Sequence, residues 1–87
     1  MKPVTMFMLK TCPYCRRAFQ WMEEVKAEHP EYCTVSVTMI DEREEPELAG
    51  ARDYYYVPTY YIADEKVHEG PASKEIVEQV FSDAYKG

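Results

Sequence analysis

Residues 3–9, PVTMFML, are apolar at nearly every position, the pattern of a strand buried on both faces. From Pro13 to Glu28 the period changes. Cys15, Ala18, Phe19, Met22 and Val25 recur at helical spacing and form one inner stripe. Pro13 suits the first turn of that helix, where its missing N–H costs nothing. Pro30 disfavours helical geometry at His29 and closes the helix there. Residues 32–40, YCTVSVTMI, alternate, which predicts a strand with Cys33, Val35, Val37 and Met39 on one face. Cys33 is then expected to act as a small core hydrophobe. One or two helical turns open near Pro46. Residues 58–63, PTYYIA, and 66–69, KVHE, are separated by a short turn and predict a hairpin. Gly70-Pro71 breaks the chain. A last helix from about Ser73 to Tyr85 carries Ile76, Val77, Val80, Phe81 and Ala84 inward, with Ser73 as N-cap.

The element order is β-α-β-α-β-β-α. A helix joins the first two strands, so they are expected to be parallel with a right-handed crossover. The hairpin adds antiparallel partners. The expected architecture is α/β: a four-stranded mixed sheet flanked by helices, in one domain spanning residues 1–87.

Composition supports a folded chain: 46% of its 87 residues are hydrophobic and 14% aromatic. No apolar run approaches the length that spans a bilayer. The short run VTMFML lacks the cleavage pattern of a signal peptide. Three cysteines, an odd count, fit a reducing compartment better than a disulfide-stapled secreted domain. A cytoplasmic monomer, bound to neither membrane nor nucleic acid, is therefore expected. The net charge of −6 argues against nucleic acid, and its distribution is uneven. Residues 1–17 hold Lys2, Lys10, Arg16 and Arg17 and no acid, whereas residues 18–87 hold all 16 acids and only 6 bases. The acidic run 41–47 is expected to be a solvated face.

The positive end surrounds the candidate chemistry, KTCPYCRR at residues 10–17. A strand leads into Cys12 and a helix starts just after it. Free N–H groups and the helix dipole favour negative charge there, and nearby cations add to the effect. Cys12 is expected to be the exposed nucleophile. Cys15, almost one turn on and facing inward, is placed to resolve a mixed disulfide on Cys12. The competing reading is a metal- or iron–sulfur-binding module using the same cysteines. Zinc, however, normally takes four ligands, and only Cys33, His29 and His68 remain, scattered along the chain.

A C-x-x-C between strand and helix in a βαβ unit is a thioredoxin-like signature, and here the residues resemble the glutaredoxin family. CPYC is the active-site sequence of its dithiol members. YVPTYYI resembles the family's valine–cis-proline segment entering the third strand, and KVHEG the short fourth strand with its glycine. The resemblance implies a thioredoxin-like fold and a small thiol–disulfide oxidoreductase. It implies Cys12 as nucleophile, Cys15 as resolving thiol and Pro58 as cis-proline. Val57 is implied as a backbone partner for substrate, Lys10 and Tyr14 as groove residues, and Tyr56, Gly70 and Ser73 as further substrate contacts. No bound cofactor is implied. The electron donor would be glutathione or a thioredoxin-reductase-type flavoprotein, and the substrates disulfide-containing proteins or glutathionylated thiols. The chain departs from the family where Tyr56 replaces threonine, where Glu69 replaces the first of two glycines, and near Ala72 and Ser73, which lack the usual aspartate. These departures imply weak use of glutathione.

Overall fold

The computed structural model describes residues 1–87. Its elements are β1 (Val4–Met8), α1 (Pro13–Glu28), a 3-10 turn (Pro30–Thr34), β2 (Val37–Asp41), α2 (Pro46–Gly50), β3 (Thr59–Ile62), β4 (Glu65–Glu69) and α3 (Lys74–Lys86). The sheet order is β2-β1-β3-β4. β1 pairs in parallel with β2 and antiparallel with β3, and β3 pairs antiparallel with β4. β1 is thus hydrogen-bonded on both edges. Its side chains alternate between two apolar layers, which explains why PVTMFML is apolar throughout.

One layer holds most of the core. Val4, Met6 and Met8 from β1 and Tyr60 and Ile62 from β3 meet Cys15, Ala18, Met22 and Val25 of α1 and Val77, Val80, Phe81 and Ala84 of α3. Phe19 and Ile76, expected inside, are only half-buried, because each lies at the margin of its helix's inner stripe. The other layer is small: Phe7, Ile40 and Tyr61, covered by Tyr54 and Ala49. Ser73 caps α3, its hydroxyl accepting from the Ile76 N–H at 3.2 Å.

The second strand starts later than its alternation suggests. Pro30 opens a 3-10 turn, and Tyr32 within it packs near Phe81 and Tyr85 at ring separations of 6.0 and 5.6 Å. Pairing with β1 begins only at Val37. Cys33 therefore lies on the turn, not on the strand, and is exposed rather than a core residue. Met39 is also exposed, since β2 is an edge strand and α1 covers it incompletely. The aromatic anchor at Tyr32 overrides the local two-residue period.

Candidate active site

Cys12 is the N-cap residue of α1, in extended backbone geometry (φ −79°, ψ 125°). Its N–H donates to Leu9 O at 3.1 Å, and its carbonyl accepts the Arg16 N–H at 3.0 Å. No side chain caps this helix end and no acid lies in the first turn. The first-turn N–H groups are left facing the Cys12 position, where they favour negative charge. The Cys12 side chain is partly exposed, whereas Cys15, on the inner stripe of α1, is fully buried.

Burial is the main reason the Cys15 thiol is pushed up to about 12. The Leu9 N–H donates to its sulfur at 3.4 Å and works the other way, and the neighbouring Cys12 adds to the upward push. The arrangement keeps Cys15 a thiol near neutral pH, with one donor already aimed at the thiolate it would become.

A stability consequence follows from the sign of this shift. Above the unfolded thiol's ordinary value of 9.0 the unfolded chain sheds the Cys15 proton while the native chain retains it, up to about 12. Native stability then falls with rising pH by about 1.4 kcal/mol per unit from this group. Urea titrations of the reduced protein between pH 9 and 11 are expected to show that extra slope relative to Cys15→Ser. Equal slopes would remove the buried thiol as its source.

Tyr60 lies in the same core layer as Cys15, fully buried, and its hydroxyl has no hydrogen-bond partner. Burial, and then the neighbouring Cys15, push its ionisation upward.

Residues 54–58 lie on the connection from α2 into β3. The Val57–Pro58 peptide bond is cis. Neither the N–H nor the C=O of Val57 has a backbone partner. Pro58 is buried, and its carbonyl accepts the Gly70 N–H at 2.9 Å. Gly70 has φ +97°, a left-handed conformation that suits glycine. Tyr14, Tyr55 and Tyr56 are 51%, 86% and 68% exposed, so their rings cover no core. Ser73 is half-buried and its hydroxyl is occupied as the α3 cap.

Lys10, expected beside the thiol, lies on the cysteine loop and is exposed. Its ammonium pairs with Glu44 at 2.6 Å, which raises its ionisation above the ordinary lysine value. The acidic run is correspondingly not a merely solvated face. Asp41 is buried and accepts the Lys10 and Arg43 N–H groups at 3.1 and 2.8 Å, bonds that hold its carboxyl below the usual carboxylate range. It ties the cysteine loop to β2. Glu42 accepts the Tyr54 hydroxyl at 2.7 Å. The sequence signal for Asp41 is its place at a strand end, where a short acid can accept nearby N–H groups; the neighbouring charges masked it.

The two cysteines bring no third potential metal ligand with them. Three such groups come together only at Glu28, His29 and Glu78, at the far end of α1. A helix of 16 residues separates the two places by about 24 Å. No enclosed cavity surrounds Cys12, and a shallow depression runs along Pro13, Arg16, Arg17 and Gln20. A reacting partner would meet an open surface.

Comparisons with known proteins bear on the family and the fold. Residues 4–67 match the family model described as Glutaredoxin. No curated protein matches the chain significantly. Among solved structures, the oxidised thioredoxin from Plasmodium falciparum superposes with a TM-score of 0.70 at 19% identity, over 92% of this chain and 77% of that one. A structure described as a malarial protein gives 0.69 at 14% identity, over 93% of each chain. A thioredoxin-like protein from Clostridium perfringens gives 0.68 at 24% identity, over 97% of this chain and 71% of that one. The fold is thioredoxin-like, as the resemblance implies.

Proposed function

The chain belongs to the glutaredoxin family, which supports a thiol oxidoreductase-type role, and on that footing we propose that it reduces protein disulfides through the Cys12–Cys15 dithiol. One observation carries the reading: a partly exposed Cys12 stands at an uncapped helix start, with the buried Cys15 almost one turn further along the same helix and the Leu9 N–H aimed at its sulfur.

The Cys12 thiolate attacks one sulfur of a substrate disulfide. A Cys12–substrate disulfide forms, and the other substrate sulfur leaves as a thiolate that takes up a proton. Cys15 then loses its proton and attacks the Cys12 sulfur. The Cys12–Cys15 disulfide forms, and the second substrate thiol is released and protonated. The Leu9 N–H stabilises the Cys15 thiolate as it develops. A dithiol or two thiols of a donor return the enzyme disulfide to the reduced form. Unpaired Val57 backbone groups beside cis-Pro58 offer the substrate chain an added-strand contact.

The donor is proposed to be glutathione or a thioredoxin-reductase-type flavoprotein. Coupled assays separate them: NADPH oxidation with glutathione and glutathione reductase, against NADPH oxidation with thioredoxin reductase, on a protein disulfide. Turnover with either partner is the expected result. No turnover with both, together with visible absorbance or tightly bound zinc or iron in fresh protein, would sink the redox reading and favour a metal-binding module.

A further inference from the structure

Glu69 closes β4 directly opposite Thr59 of β3. Its carboxylate reaches past the end of the ladder into the tyrosine loop. Oε2 accepts the N–H groups of Tyr55 and Tyr56 at 2.7 and 3.1 Å, and Oε1 takes the Lys66 ammonium at 2.7 Å. These partners, Lys66 foremost, hold the Glu69 carboxyl below its ordinary range. The Thr59 hydroxyl donates to the Tyr56 carbonyl, and the Gly70 N–H to that of Pro58. The backbone of residues 55–58 is therefore tied to the hairpin from one side. In the same segment the rings of Tyr55 and Tyr56 are exposed and the N–H and C=O of Val57 are unpaired.

We propose that Glu69 is a positioning residue that holds residues 55–57 as a preformed docking edge for an extended polypeptide carrying the target disulfide. The proposal rests on the disulfide-reducing function above and names its substrate class. Three polar side chains are already engaged: Lys10 is paired with Glu44, the Ser73 hydroxyl caps α3, and both oxygens of Glu69 are used. Free backbone groups and amphipathic aromatic area on the loop suit an extended chain.

The test compares unaltered protein, Glu69→Ala and Glu69→Gln on two substrates: a short linear peptide bearing a mixed disulfide, and hydroxyethyl disulfide, which has no backbone to dock. If the untied loop is in place about a tenth of the time, Glu69→Ala raises KM for the peptide about tenfold, with kcat within about twofold. Turnover of hydroxyethyl disulfide stays unchanged. Glu69→Gln, whose amide oxygen still accepts from the loop, recovers part of the loss. Amide exchange at Tyr55 and Tyr56 speeds up in Glu69→Ala. An unmoved peptide KM alongside faster exchange overturns the proposal, as do equal losses on both substrates. Failure of the unaltered protein on both substrates would instead remove the underlying function, and this inference with it.

Discussion

Cys12→Ser is expected to lose at least about a thousandfold in disulfide turnover, because a serine hydroxyl cannot supply the attacking sulfur. Cys15→Ser is expected to behave differently. It keeps the first attack and stops at the mixed disulfide, so it accumulates protein adducts on Cys12 that mass spectrometry detects. The two sulfurs differ in setting: Cys12 is partly exposed at the helix start, while Cys15 is buried and pushed up to about 12. The same contrast predicts that iodoacetamide labels Cys12 first. Preferential labelling of Cys15, or adducts trapped in Cys12→Ser instead, would reverse the assigned roles.

Phe7→Ala is expected to remove about 3–5 kcal/mol of stability, a large share of the roughly 5–15 kcal/mol that a domain possesses. Phe7 is 1% exposed and anchors the smaller apolar layer. Its ring stacks on Tyr54 at 4.9 Å and meets Tyr61 edge-on at 5.7 Å. This face of the sheet has no long helix over it, so few side chains can move in to fill the space. Tyr54 is in turn held by Glu42, and the tyrosine loop continues directly from it. The urea midpoint should fall steeply with an unchanged denaturant slope. Met39→Ala, at an exposed edge-strand position, is the control and should shift stability by less than about 0.5 kcal/mol. A Phe7→Ala midpoint as small in its shift as the control's would mean that the minor layer does not hold the sheet together.

The element order, the span of α1, the parallel β1–β2 pairing and the β3–β4 hairpin were all legible in the chain. The reason is local. Apolar side chains recurring at helical or two-residue spacing report one buried face each, and Pro13, Pro30 and Ser73 mark helix ends through backbone chemistry that needs no distant partner. Placement of Cys12 at a strand–helix junction was legible for the same reason.

Other features depended on partners far along the chain. The sequence alone carries four acids within residues 41–45 and a glutamate at 69, but not where their carboxylates point. Asp41 bonds the Lys10 N–H from 31 residues away, and Glu44 takes the Lys10 ammonium from 34 away. Glu69 reaches Tyr55 and Tyr56 across the hairpin. Cys33 stood in an alternating run, yet Tyr32 docking near Phe81 and Tyr85 turned that stretch into a 3-10 turn and left the thiol outside. Periodicity, caps and the cysteine spacing come from the sequence by itself, because each is decided within a few residues. The direction of each charged side chain and the register at which β2 begins pairing were decided only by the tertiary structure, because both depend on which distant groups the folded backbone brings within hydrogen-bonding or packing distance.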